Sequence, residues 1–543
     1  MMPFSQTLLV TALFCGVAFA QPTSRTDGLS RRLDRSGDGQ LKRDEVPPAA
    51  GRIFDRLDAD KNGVVTAREA ASFNVPGIAR GGATGPTGVP ITPNRSAVRP
   101  HGQEAVDAGL DPEALATLDG TLQGHVDAKN VAGLIGFISK AGNVGYFEAF
   151  GWQDIEAQKP MSKDAIFRLQ SMTKPIVAAC ALTLFDEGLF TLDEPISKHC
   201  PEWAEPIVRE DGEDVPARNA LTPRMLMSHS SGLYYGTIDG GPFSGGARSR
   251  GARTSLEAYS QSLAEKPLKF HPGEGYSYGT SIDILGRYIE AVTGQPLDVV
   301  MKERILTPLK MTDTDFWVPP EKAHRVAQIY SQPKPGVLAR GREAAQLTTK
   351  PTLFLGGQGL CSTTDDYSRF CQMLLNKGEL DGVRLLKAET VELMFQDHLQ
   401  VNAKRLGLAE SRQKYGLGGA VDGESGYLWG GANGTQFWID SRGQFYAIFM
   451  VQTQRYKAPT YGDFRRLAGE AAGIDSTRGL GMAGQRAAGA GSPLGDLFKQ
   501  RDTNGDGKLD RDEVRALHFN RLDADRDGFV SEEEAKKLWR PQR

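Results

Sequence analysis

Residues 175–185 read PIVAACALTLF. At helical spacing this run has no polar face, so water can cover no side of it and protein must surround it. A chain carrying such a helix needs at least two layers packed around it, and this one has the material. Its 543 residues, 39% of them hydrophobic, are too many for one ordinary domain and enough to bury a sizeable core. A formal net charge of −3 gives no basic face for nucleic acid. Five cysteines over this length do not make a disulfide scaffold. Beyond the first twenty residues no apolar run is long enough to span a bilayer.

What stands before the run gives it chemistry. Ser171 and Lys174 lie three residues apart, and an i, i+3 pair shares a helix face, so an amine can reach a hydroxyl and take its proton. S-x-x-K occurs three times, the others being Ser331–Lys334 in a proline-rich loop and Ser411–Lys414 in a charged stretch. Only Ser171 follows a short apolar segment (Ile166, Phe167, Leu169) and opens the buried run, with Pro175 suited to a first helical turn. The positive end of the helix dipole favours deprotonated serine and neutral lysine there. A polar helix start capped by Ser171 reads the same residues equally well.

The ends are built differently. Residues 7–20 form an uncharged apolar stretch closing on Ala18-Phe19-Ala20, which predicts a signal peptide over 1–20 and an exported protein, periplasmic or extracellular. Stretches dense in glycine, proline or small residues at 76–104 and 476–493 read as linkers around a core of 105–475. Outside the linkers, over 21–75 and 494–543, the pattern D-x-[DN]-x-[DN]-G-x-[apolar]-x-x-x-E occurs four times, with a serine at one third position. This is the EF-hand calcium loop, in which alternate oxygen ligands converge on one ion. Its candidate ligands are Asp34, Ser36, Asp38, Gln40 and Glu45; Asp58, Asp60, Asn62, Val64 and Glu69; Asp502, Asn504, Asp506, Lys508 and Glu513; and Asp523, Asp525, Asp527, Phe529 and Glu534. The eighth residues (Leu41, Val65, Leu509, Val530) are expected to pair between partner loops in a short β contact. Only 12 residues separate Glu45 from Asp58 and 9 separate Glu513 from Asp523, so one helix must serve both loops of each pair. Each end is expected to be a small all-α module holding structural Ca2+, up to four ions in all, that caps the core or docks a protein partner. Of the cysteines left after export, Cys180 sits in the apolar run and reads as a buried free thiol.

The segment 166–203 (IFRLQSMTKPIVAACALTLFDEGLFTLDEPISKHCPEW) resembles the nucleophile helix of class C β-lactamase and penicillin-binding-protein-like serine hydrolases. LTPRMLMSHSSGL (221–233), the stretch from GGQG to VRLL (356–386) and WGGANGTQFWID (429–440) continue the resemblance in order, over about residues 105–475. The resemblance implies a β-lactamase-like α/β (α+β) fold: an antiparallel sheet of early and late strands, flanked by helices, with a helical lobe between. It implies Ser171 as nucleophile, Lys174 as its base and Tyr278 as proton shuttle to the leaving group. Where the family has asparagine two residues on, this chain has Thr280. The third motif, Lys-Thr-Gly in the lactamases, is Trp429-Gly430-Gly431, and the backbone N–H groups of Ser171 and Ala432 fall at the implied oxyanion hole. Tryptophan cannot bind a substrate carboxylate as lysine does, so neutral esters are the expected substrates.

Other readings fit parts of the same sequence. A true β-lactamase or D-Ala-D-Ala peptidase acting on an amide is one. A non-catalytic protein that docks partners through its calcium modules is another. Gly275-Tyr276-Ser277-Tyr278-Gly279 matches G-x-S-x-G, but a turn rather than a buried strand is expected before it. His229 invites a Ser-His-Asp triad but is expected only to pack or hydrogen-bond. Tyr234, Tyr235 and the loop 236–253 are candidates for an aromatic site mouth, and an ordinary surface loop reads the same residues equally well. No cofactor is expected for the hydrolytic chemistry. A helix over 112–127 and hairpins around 140–143 and 440–443 complete the expectations.

Overall fold

The computed structural model describes residues 101–474, apart from breaks at 239–240, 244–253, 342–346, 400–403, 407–413, 423–424, 455 and 457. It also describes 41–42, 61–65, 508–509 and 530–531. The expected signal peptide, residues 76–100 and 476–493 of the expected linkers, and every calcium-loop ligand except Asn62, Val64 and Lys508 lie outside the described residues.

The chain divides into two compact units, 1–90 and 91–543. In the first, β1 (Leu41–Lys42) and β2 (Val64–Val65) pair antiparallel with Leu41 opposite Val65, the eighth residues of the two loops. Gly63, the sixth residue of its loop, has φ +82, the left-handed conformation that the sharp turn demands.

The second unit is organised on one sheet. Its strands are β3 (Gly133–Lys140), β4 (Asn143–Asp154), β5 (Lys159–Pro160), β6 (Lys414–Tyr415), β7 (Ala420–Val421), β8 (Gly426–Gly430), β9 (Gln436–Asp440) and β10 (Phe445–Val451). They lie in the order β6-β7-β8-β9-β10-β3-β4-β5, all antiparallel, so β10 pairs with β3 and joins the two ends of the core sequence in one sheet. The turn between β3 and β4 falls at Ala141-Gly142, φ +51 and +81, one residue before the glycine–asparagine turn that the sequence suggests. Two consecutive left-handed residues match the twist of a two-residue hairpin, which lets Asn143 already pair with Lys140.

Side chains alternate across the sheet, and both faces are buried. From β10, Phe445, Ala447, Phe449 and Val451 join one core, and Tyr446, Ile448 and Met450 join the other. The first core is closed by α1 (Pro112–Asp127), through Leu115, Leu118 and Leu122, and by the last helix of the core, Thr460–Ala472, through Phe464 and Leu467. The second core holds α2 (Thr173–Asp186), whose residues from Thr173 to Leu184 are all buried, as an all-apolar surface requires. Beside it pack α3 (Ser281–Thr293), ended by Gly294 at φ +69, and α4 (Thr364–Leu375), capped by Thr363 Oγ1 accepting from the Asp366 N–H. Short helices between 196 and 306 form the expected lobe between the early and late strands. A short helix, Gln103–Asp107, already begins inside the stretch read as the first linker.

Cys180, Cys200, Cys361 and Cys371 are all free and buried. Toward the C-terminus β11 (Lys508–Leu509) pairs with β12 (Val530–Ser531), Leu509 opposite Val530, repeating the contact of the first pair of loops.

Candidate active site

Ser171 stands in a 3-10 turn, Gln170–Met172, that runs directly into α2. Gln170 takes φ +50, a conformation that costs free energy in a residue bearing a Cβ. The surroundings hold it there: the Leu169 N–H donates to Leu360 O at 2.9 Å, the Leu360 N–H to Thr173 Oγ1 at 3.1 Å, and the Tyr367 hydroxyl to Met172 O at 3.1 Å. Ser171 does not cap the helix; Met172 is the N-cap and has no side-chain cap bond. Ser171 lies in the 3-10 turn and Lys174 in the first turn of α2, so the two, three residues apart, share one face. Lys174 is fully buried, with Nζ 3.1 Å from Ser171 Oγ and donating to Gly357 O at 2.7 Å.

Burying an amine needs partners on every side. Below Lys174 lies Asp283, in the first turn of α3 and 1% exposed, whose Oδ1 accepts the Gly357 N–H at 2.7 Å. Burial pushes its carboxyl up to about 6, against the opposing pull of Lys174 and the Gly357 hydrogen bond. A Cβ on Gly357 would stand 2.8 Å from Asp283 Oδ1, so only glycine lets the chain lie on the carboxylate. Sequence reasoning missed Asp283. Its signal was an acid among apolar residues in SIDIL, facing a glycine-rich loop whose partner no local pattern names.

Tyr278 covers the other side, its ring centroid 4.7 Å from Lys174 Nζ. Around it stand Trp429 at 5.3 Å, Tyr235 at 5.7 Å and His229 at 4.8 Å, centroid to centroid. Tyr415 closes the wall, 5.1 Å from Trp429 and 5.4 Å from His229. Tyr235 is 39% exposed and edges the mouth as expected; Tyr234 instead turns into the core. Of the loop beyond, Gly236–Ile238 pairs with Gly241–Phe243, and the rest lies outside the described residues.

His229 is buried, and neither ring nitrogen has a hydrogen-bond partner among the described residues. Burial, with the Lys174 charge adding to it, pushes the imidazole well below its usual range, so it is neutral. The ring packs against its neighbours, and among the described residues it joins no Ser-His-Asp relay. Ser277 is 3% exposed, its N–H donating to His229 O, and the strand Gly275–Ser277 follows a turn at Pro272–Gly273; α3 begins only at Ser281. The elbow geometry is absent. Ser331 and Lys334 sit on a hairpin strand, Tyr330–Lys334, and Ser411 lies outside the described residues. Thr280 is buried with Oγ1 unpartnered among the described residues.

The third motif fits by lacking side chains. A Cβ on Gly431 would meet Leu169 O at 2.1 Å and Thr435 Oγ1 at 2.3 Å, while Thr435 Oγ1 itself donates to Leu169 O at 3.0 Å. The end of β8 is thereby locked two residues before Ser171. Ala432 follows, exposed, its N–H bonded to no acceptor among the described residues.

The family model described as beta-lactamase matches residues 118–471, most of the chain. The chain belongs to the beta-lactamase family. Within this family of serine hydrolases it is similar to Esterase EstB of Burkholderia gladioli, 31% identical over 48% of this chain and 72% of that protein. It is similar also to Lovastatin esterase of Penicillium rubens, 29% identical over 62% and 92%. Among solved structures, EstCE1, titled a hydrolase with promiscuous acyltransferase activity, superposes with TM-score 0.58 at 24% identity, over 66% of this chain and 98% of that one. An EF-hand model matches 494–518 and 518–539.

This beta-lactamase-family site therefore holds a buried amine fixed beside a hydroxyl, a phenol ring against that amine, and an exposed amide at the facing strand end. Such a set can form and break an ester without a metal or cofactor.

Proposed function

We propose that the protein is an exported carboxylesterase that cleaves neutral esters through an acyl-enzyme on Ser171. The observation that carries this reading is the 3.1 Å approach of Lys174 Nζ to Ser171 Oγ while Nζ is tied to Gly357 O. One N–H of Nζ serves Gly357 O, which holds the amine beside the hydroxyl whose proton it takes. Ser171 gives its proton to Lys174 as Oγ bonds to the ester carbonyl carbon, and the carbonyl electrons move to oxygen, which the N–H groups of Ser171 and Ala432 receive. Collapse breaks the bond to the alkoxy oxygen. The proton passes from Lys174 by way of the Tyr278 hydroxyl to that oxygen, and alcohol leaves. Water then attacks the acyl carbon, its proton returns to Lys174, and Ser171 Oγ departs and is reprotonated.

Trp429, an apolar wall where the lactamases carry a cation, supports neutral esters over substrates bearing a carboxylate. The names of two relatives, Esterase EstB and Lovastatin esterase, support an ester over a β-lactam. The stretch over residues 7–20 supports export, and the four loops support structural Ca2+, with a capping or docking role for each end.

Hydrolysis of p-nitrophenyl butyrate tests the chemistry. Ser171→Ala and Lys174→Ala are each expected to lower kcat by about 10³-fold or more, and Ser277→Ala to leave it near wild type. Full activity in Ser171→Ala overturns the reading, and a chromogenic cephalosporin turning over faster than the ester moves it to a β-lactamase. Export predicts a mature N-terminus at Gln21 on sequencing the secreted protein. Titration with millimolar Ca2+ that released no heat would remove the loops as metal sites.

A further inference from the structure

We propose that Asp283 is a positioning residue for the Ser171–Lys174 pair, acting through Gly357. The proposal rests on the reading of Lys174 as the base. Gly357 is held from two sides: its N–H donates to Asp283 Oδ1 at 2.7 Å, and its carbonyl accepts from Lys174 Nζ at 2.7 Å. The carboxylate thus fixes the group that fixes the amine, and the amine stands 3.1 Å from the nucleophile.

The loop carrying Gly357 is wedged between two helices. A Cβ on Gly356 would lie 2.5 Å from Ile282 O of α3 and 3.3 Å from Val177 Cγ1 of α2. A Cβ on Gly357 would press on the carboxylate itself. Both glycines thereby let one loop touch α3 with its amide and Lys174 with its carbonyl.

Stability alone does not call for an acid here. Asp283 is 1% exposed, and the raised proton affinity of its carboxyl records the penalty of burying the charge. Lys174 and the Gly357 N–H favour the carboxylate without offsetting its burial, and Tyr235 and Tyr259 lie within its electrostatic reach. A side chain that burdens the fold while holding the base's anchor belongs to the reaction rather than to the core.

Steady-state hydrolysis of p-nitrophenyl butyrate by the full chain tests this. Asp283→Ala is expected to lower kcat by about ten- to a hundredfold, the scale of a misplaced base, with KM within about threefold of wild type. Asp283→Asn keeps the Oδ1 acceptor and is expected to restore kcat to within about threefold of wild type. Gly357→Ala should match the loss of Asp283→Ala, and the double variant should lose no more than the worse single, because both changes break one link. Wild-type kcat in Asp283→Ala, or losses that multiply in the double variant, overturns the proposal. If Asp283→Ala does not fold, Gly357→Ala carries the test, and wild-type kcat there overturns it. Lys174→Ala separates the levels: an active Lys174→Ala removes the reading of Lys174 as base, whereas an inactive one beside a fully active Asp283→Ala removes only the role of Asp283.

Discussion

Trp429 stands against Tyr278 with ring centroids 5.3 Å apart and planes tilted by 56°, its buried indole N–H bonded to no acceptor among the described residues. The wall beside Tyr278 thus offers an apolar face with one unpartnered donor, which under the proposed function receives a neutral acyl group. Trp429→Ala is expected to raise KM for p-nitrophenyl butyrate by about five- to twentyfold with a smaller change in kcat, since it removes ground-state contact. Trp429→Lys should further raise the ratio of a carboxylate-bearing cephalosporin to the neutral ester. An unchanged KM in Trp429→Ala would detach this residue from substrate.

Gly431 abuts Leu169, two residues before the nucleophile. A Cβ there overlaps the Leu169 carbonyl, so Gly431→Ala must push the strand end and Ala432 away from Ser171. Loss of one oxyanion donor costs about 10²–10³ in kcat, and that is the expected fall, with near-wild-type circular dichroism. A variant with intact kcat would take Ala432 out of the oxyanion site.

The His229 imidazole is neutral, and its nitrogens have no partner among the described residues. His229→Phe should therefore keep the pH–rate profile of the wild type and lower kcat by less than about tenfold. A triad base would cost about 10⁴ or more, so a loss on that scale overturns the packing role.

Asp366 and Asp283 make the opposite demand on pH from Asp154 and Asp313. Burial pushes each carboxyl up to about 6 from 3.8. A folded value above the unfolded one favours the fold below about pH 4, and that contribution is lost as pH rises through 6. Asp154 and Asp313, which Arg340 and Arg325 hold low, pull the other way, so the effect is best isolated by substitution. Asp366→Asn is expected to match the wild type in Tm at pH 4 and to exceed it at pH 7 by the equivalent of about 1–3 kcal/mol. Equal destabilisation at both pH values would mean that its bonds from the Thr314 hydroxyl and the Asp313 N–H outweigh the buried charge.

The sequence alone determined whatever depends on local period and composition. An eleven-residue run apolar on every side could only be a buried helix, as α2 is. The strand-like runs at 134–139, 144–150, 435–439 and 445–451, broken by turn residues, read as two hairpins, and both lie in the sheet. Loop spacing alone paired Leu41 with Val65 and Leu509 with Val530. The serine–lysine spacing offered three candidate pairs, and the apolar run after Ser171 singled out one of them.

The tertiary structure decided whatever joins distant residues. Asp283 and Gly357 meet across 74 positions, and no period in the chain records that one is glycine because the other is acid. It also decided that Tyr235 is exposed while Tyr234 packs inward, and that neither ring nitrogen of His229 has a partner among the described residues. The physical reason is range. Propensity and hydrophobic pattern act over a few residues, whereas the desolvation that sets the character of Asp283, His229 and Lys174 exists only once α2, α3 and β8 close around them.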